Sequence, residues 1–200
     1  MRGTEKEGHM TLGQLEAECL DCNKCALRAG AKQVIFGEGS PDARLMFVGE
    51  GPGRHEDDLG KPFVGAAGVL LDKIFKASGL KREEVYITNV VKCRPPGNRM
   101  PTAKEIRACG DYLKGQIQLV KPSIIVCLGA LATKTLINPQ ARITRIRGEW
   151  FERNGIKILP TFHPAALLRD PGKKRPVWED FKELVRVYRD ISVEQMDLKW

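Results

Sequence analysis

Histidine, aromatic residues and long apolar runs are all scarce in this chain. Three histidines are present, so imidazole chemistry falls on His9, His55 or His163. Aromatic residues make up 6% of the sequence, which leaves few rings to stack against a flat ligand. No apolar run approaches the roughly 20 residues that cross a bilayer, so no membrane role is expected. The first residues, MRGTEKEGHM, carry no apolar stretch behind their charges, so no secretory signal is expected. Residues 1–10 read as a leader or expression remnant, residues 11–191 as one domain, and residues 192–200 as a C-terminal tail. Repeats, linkers and low-complexity segments are missing as well. The expectation is an intracellular chain.

What is present points to a folded partner of a polyanion. Hydrophobic residues reach 42% of 200, and a chain of this size hides roughly 70% of its unfolded surface. The formal net charge is +8, which puts nucleic acid first among partners. Six cysteines in an intracellular chain read as metal ligands, catalysts or core rather than disulfides.

The elements alternate at βα spacing. Thr11 starts a short helical pattern with Leu12, Leu15 and Cys19 on one face. Arg44–Gly49 reads as a buried strand, and Gly49–Gly53 as a loop. Ala66–Ser78 reads as a helix that stops at Gly79. Val85–Val91 is a second strand. Cys93–Pro101 carries three prolines in nine residues and is irregular. Thr102 and Glu105 form a capping box for a helix running to about Val120. Ser123–Leu128 is a third strand, and Gly129 opens a helix. Asn154-Gly155 marks a hairpin turn. Ile156–Phe162 is a further strand, ending at His163-Pro164, and a last helix covers Pro176–Asp190. The expected architecture is α/β: a three-layer αβα sandwich around a central, mainly parallel four-stranded sheet. In such sheets ligands bind at the carboxyl ends of the strands. Gly49–Gly53, Asn89–Arg94 and His163-Pro164 all fall there.

Cys22-x2-Cys25 is half of a metal site, and Cys93 and Cys109 are placed to complete it. Four thiolates suit zinc or an iron–sulfur cluster, and spacing does not choose between them. Cys19 extends the run to C-x2-C-x2-C but sits on the apolar face of its helix. Cys127, flanked by Ile125, Val126 and Leu128, reads as core. Gly49-Glu-Gly-Pro-Gly53 follows a strand but is neither GxGxxG nor a P-loop, so no nucleotide cofactor is expected. Its glycines let the backbone approach a flat ligand. Glu50 adds a carboxylate at the rim, and Glu56, Asp57 and Asp58 form an acidic cluster unexpected in a basic protein.

Four ordered motifs carry a resemblance. Val48-Gly-Glu-Gly-Pro-Gly-Arg-His-Glu-Asp57, Gly60-Lys-Pro-Phe-Val-Gly-Ala-Ala-Gly68, Val85-Tyr-Ile-Thr-Asn-Val-Val-Lys-Cys-Arg-Pro-Pro96 and Phe162-His-Pro-Ala-Ala-Leu-Leu-Arg169 resemble the family 4 uracil-DNA glycosylases, the iron–sulfur branch of that superfamily. The likeness spans Leu12 to Tyr188. It implies a structural [4Fe–4S] cluster on Cys22, Cys25, Cys93 and Cys109, and leaves Cys19 and Cys127 without a role. It implies a uracil pocket made of Glu50, Gly51, Pro52, Phe63, Asn89 and His163, with Glu50 and His163 catalytic. The expected activity is monofunctional removal of uracil from single- or double-stranded DNA.

The implied roles make chemical sense. A base inside the stack is out of reach and must be flipped out. Phe63 supplies a stacking wall. The Asn89 amide offers one donor and one acceptor, matching O4 and N3–H of uracil. His163 and the Gly51 backbone face the charge that develops at O2. Water activation rests on Glu50, on Glu56, or on electrostatics alone. Leu167 or Leu168 would wedge into the vacated stack. Arg169, with Lys173, Lys174 and Arg175, would hold phosphates. Gln195-Met-Asp-Leu-Lys-Trp200 resembles peptides that dock on bacterial sliding clamps. Two other classes stay open: an iron–sulfur sensor that holds uracil without cleaving it, and a zinc-stabilised nucleotide-binding protein built on the Gly49–Gly53 turn.

Overall fold

The structure is a computed structural model. It describes residues 10–197, with side chains described through residue 191. Residues 1–9 of the proposed leader and the side chains of the proposed clamp peptide lie outside that range.

Among the described residues one sheet carries β1 (Glu38–Gly39), β2 (Leu45–Gly49), β3 (Tyr86–Asn89), β4 (Ile124–Leu128), β5 (Phe151–Arg153) and β6 (Ile156–Thr161), in the order β1-β3-β2-β4-β6-β5. β3, β2, β4 and β6 run parallel, while β1 and β5 close the two edges antiparallel. The sheet therefore has six strands, not the expected four. The two extra strands are two and three residues long, too short to leave an alternating pattern. The hairpin turn stands as expected. Asn154 and Gly155 both take positive φ, 52° and 76°, which is the backbone a two-residue hairpin loop demands.

The parallel strands are buried on both faces, and so they read as unbroken apolar runs. Alternate residues of β2 enter two different cores. Met46 and Val48 join one cluster with Leu15, Tyr112, Leu113 and Ile125. Leu45 and Phe47 join another with Leu71, Phe75, Phe181 and Leu184. The first core lies under α1 (Leu12–Leu20) and α5 (Ala103–Val120), the second under α4 (Ala66–Ser78) and α9 (Lys174–Asp197). Phe47 meets Phe75 with ring centroids 4.7 Å apart and Phe181 at 6.1 Å. The result is a three-layer αβα sandwich.

Local chemistry sets several boundaries. Thr11 caps α1: its Oγ1 accepts from Gln14 N–H, and Gln14 Oε1 accepts from Thr11 N–H. Thr102 and Glu105 form the same box at α5. Gly79 ends α4 in the left-handed region at φ 72°. α9 begins two residues before Pro176, because a proline in the first turn forfeits no helical hydrogen bond. Four short helices were not anticipated: α2 (Leu27–Gly30), α3 (Arg54–Leu59) in the acidic segment, α7 (Ile143–Ile146) and α8 (Pro164–Arg169) after His163. α6 (Ala130–Leu136) follows Gly129 as expected. Among the described residues no helix is long and apolar enough to cross a membrane.

Candidate active site and thiol cavity

The carboxyl ends of β2, β3 and β6 open on a cavity of about 170 Å³, lined by Glu50, Gly51, Pro52, Phe63, Asn89 and His163. Every residue expected in the base pocket is brought to this one place. Gly53, Glu56, Ala67, Pro95, Asn98, Arg99 and Ala165 complete the wall.

Gly49 stands opposite Asn89 in the parallel register. A Cβ at Gly49 would sit 2.4 Å from Asn89 Oδ1 and 2.5 Å from Phe63 Cζ. The missing side chain therefore lets the amide and the ring meet beside β2. Asn89 is 2% exposed, and its Oδ1 has no hydrogen-bond partner among the described residues. A buried acceptor left unpaired is costly unless a ligand fills it.

Phe63 adopts φ 52°, a conformation that costs a non-glycine residue about 1–3 kcal/mol and persists only where its surroundings force it. Two features force it. Gly68 of α4 admits the Phe63 carbonyl, which would lie 1.9 Å from any Cβ there. Glu56 Oε1 accepts the N–H groups of Val64 (3.0 Å) and Gly65 (2.8 Å) just beyond the ring. Its Oε2 accepts from Gly53 N–H at 3.1 Å. Glu56 is thus a buckle between the glycine loop and the Phe63 loop, and both of its oxygens are engaged. Glu50 is the other carboxylate that lines the cavity. Asp57 accepts from the N–H groups of Lys32 and Gln33, and Asp58 pairs with Lys32. The acidic cluster is internal bracing.

His163 precedes Pro164 and caps α8. Its Nδ1 accepts the N–H of Ala165 at 3.1 Å, so a neutral ring carries its proton on Nε2. Burial, with a smaller push from Arg169, lowers its pKa to about 4. The ring lies 5.5 Å from Phe63, tilted by 29°. The strand that delivers His163 is fastened by Asp180 of α9, which accepts from Thr161 Oγ1 at 2.5 Å and from Arg147 Nε at 3.1 Å. Burial raises the pKa of Glu50, and the Arg169 charge opposes the rise.

Arg99 is a wall residue that the sequence did not single out. Its guanidinium donates to both oxygens of buried Glu105, at 2.9 and 2.7 Å. That pair pulls the pKa of Glu105 down to about 2. The signal was the capping box itself, whose glutamate serves twice.

Leu167 and Leu168 part company. Leu167 is 1% exposed and packs in the second core, while Leu168 is 49% exposed. The wedge role expected of either one is incompatible with the burial of Leu167, because α8 turns that side chain inward.

Cys22, Cys25, Cys93 and Cys109 gather with Cys19 around a second, smaller cavity of about 20 Å³, also lined by Lys92 and Tyr112. None of the six cysteines forms a disulfide. Cys109 Sγ accepts the main-chain N–H of Lys92 at 3.3 Å. Cys127 is fully buried in β4, as expected of a core residue. Among the described residues no three histidine, cysteine, aspartate or glutamate side chains gather as tightly as one metal ion requires.

Comparison with known proteins gives the family. The family model described as the Uracil DNA glycosylase superfamily matches residues 36–183. The chain is 47% identical over 168 residues to a Type-4 uracil-DNA glycosylase of Thermotoga maritima, covering 81% of this chain and 86% of that protein. It is 43% identical over 182 residues to a Type-4 uracil-DNA glycosylase of Archaeoglobus fulgidus, covering 87% and 92%. A Type-5 uracil-DNA glycosylase of Pyrobaculum aerophilum is 32% identical over 152 residues, covering 68% and 67%. With its motifs on one sheet edge and these relatives along most of its length, the chain belongs to the uracil-DNA glycosylase superfamily, within its type-4 group.

Proposed function

We propose that this chain flips uracil out of DNA, hydrolyses its N-glycosidic bond and leaves an abasic site. The observation that carries this is the unpaired, buried Oδ1 of Asn89 in a cavity walled by Phe63 and His163. Uracil fills that vacancy with N3–H, while the Asn89 NH2 donates to O4. Cytosine presents an acceptor at N3 and a donor at position 4, and is refused. Phe63 stacks on the flipped ring. His163 donates Nε2–H to O2, with the Gly51 N–H as a second donor. The electron pair of the breaking C–N bond goes to the base, and these donors stabilise the resulting anion. Water adds to the sugar carbon and passes its proton to Glu50, whose negative charge also faces the cationic sugar. Leu168 enters the gap in the stack, and Arg169 with Lys173, Lys174 and Arg175 holds phosphates.

Cys22, Cys25, Cys93 and Cys109 are read as the ligands of a [4Fe–4S] cluster. The donor set fits: four thiols line one cavity, and four thiolates are the usual ligand set of an iron–sulfur centre. When bound, the cluster supplies structural support rather than a step of the hydrolysis. It braces the Cys93–Pro101 loop, which contributes Pro95, Asn98 and Arg99 to the pocket wall. We further read residues 11–191 as one domain acting as a monomer. We also read Gln195–Trp200 as a peptide that docks on a sliding clamp. Clamp retention that survives deletion of residues 193–200 overturns that last reading.

The test is an end-labelled oligonucleotide with one uracil, treated with hot alkali after incubation with the protein. A break only at uracil is expected, slowed about 10²- to 10³-fold by His163→Ala, the cost of losing one such donor. Tight binding without a break would mark the protein as a sensor instead.

A further inference from the structure

Lys92 is 1% exposed, on the short segment between Asn89 and Cys93. Its Nζ donates three hydrogen bonds of 2.6 Å each, to Thr88 Oγ1, to the Asn89 carbonyl and to Gln116 Oε1. These acceptors are themselves held in place. Thr88 Oγ1 donates to the Phe36 carbonyl at 2.7 Å. Gln116 Nε2 donates to the same carbonyl at 2.8 Å and to the Tyr86 hydroxyl at 3.0 Å, which turns Oε1 toward the lysine. The main chain of Lys92 is pinned as well: its N–H reaches Cys109 Sγ, and its carbonyl accepts from Ile35 N–H at 2.7 Å.

All three acceptors of the ammonium are neutral. Among the described residues no carboxylate pairs with it, and the ionisable side chains that share its cavity are the five cysteines, Tyr112 and the cations Lys24 and Arg28. A buried ammonium without a counter-charge is expensive. Lys92 also lines the thiol cavity. A cluster held by four thiolates is net negative, and so supplies the charge that the surrounding protein does not.

We infer that Lys92 is a positioning residue coupling the two cavities: its ammonium balances the charge of the iron–sulfur cluster and at the same time fastens the main chain of the base-reading Asn89. The inference rests on the cluster reading above. It gives the cluster a reach into base recognition without contact with substrate. With no cluster bound, the ammonium keeps its three neutral acceptors but has no opposing charge, and its hold on the Asn89 carbonyl is expected to weaken.

The test compares wild type with Lys92→Met, which keeps length but no charge, and Lys92→Arg, which keeps the charge. Iron content and the broad visible band of wild type come first. A wild type without iron overturns the cluster reading itself, and this inference with it. With iron present, Lys92→Met is expected to lower the reduction potential of the cluster and to bleach about tenfold faster under a mild oxidant. Its uracil excision at saturating DNA should fall about tenfold. Lys92→Arg should restore the bleaching rate to within about twofold. Potential, bleaching and excision all unchanged in an iron-loaded Lys92→Met protein overturn the inference alone. Bleaching that Lys92→Arg fails to restore also overturns the charge role.

Should Lys92→Met not fold, lysine 15Nζ spectra of wild type decide. An exchange-protected ammonium resonance displaced in iron-loaded protein and not in iron-free protein is expected. A resonance identical in both states overturns the inference.

Discussion

Two pocket groups titrate in opposite senses. Burial lowers His163 to about 4 and raises Glu50. As pH falls, Glu50 takes up a proton before His163 does. The acid limb of the excision rate should therefore report Glu50 and lie above the ordinary carboxylate range near 4.5. Glu50→Gln is expected to abolish that limb and leave a slow, flat profile. Arg169→Met should move the limb to higher pH, because the charge opposing the rise is gone. A limb unmoved by Glu50→Gln would transfer the role elsewhere. Asn89→Ala should cost about 1–3 kcal/mol of uracil binding, the usual penalty of a broken buried pairing, read from inhibition by free uracil. That Glu50, Asn89 and His163 share one edge was legible in sequence, because each ends or follows a parallel strand. Which leucine faces outward was not, because that depends on how α8 packs.

At the scale of elements, the glycine loop, α3, the Phe63 loop and α4 act as one assembly. Glu56 joins three of its parts and Gly68 admits the fourth. Glu56→Ala strips three backbone N–H groups of their acceptor. With charged hydrogen bonds worth about 1.5–3 kcal/mol each, an appreciable fall in Tm is expected, together with a loss of excision rate. Gly68→Ala should destabilise by about 1–3 kcal/mol or more, since backbone rather than a flexible side chain must move. Equal melting temperatures and rates in both variants would show that this buckle is idle. Glu105 adds a pH signature. Its carboxylate falls to about 2 through Arg99, so its stabilisation is present above the ordinary value of 4.5 and fades as pH drops toward 2. The Thr102–Glu105 capping box and the Gly79 stop were readable because their partners lie three or four residues away. The Glu56 buckle was not, because its partners at Val64 and Gly65 lie eight and nine residues downstream.

At the scale of the molecule, alternation of buried strands with amphipathic helices was enough to expect a parallel sheet covered on both faces. The edge strands escaped because two or three residues carry no period. The net charge of +8 predicts that DNA affinity falls linearly on a log–log plot against salt, with a slope set by the phosphates neutralised. Salt-independent binding would remove the basic loops from the interface.

Those short edges have a consequence of their own. A sheet sticks to another copy of itself through the unpaired backbone of its outermost strands, and long flat edges seed clumping. Here the row ends at two residues on one side and three on the other. Neither end offers a template long enough for a neighbour to zip onto. A concentrated, warmed solution of this protein should stay clear up to its melting point, and turbidity should follow unfolding rather than precede it.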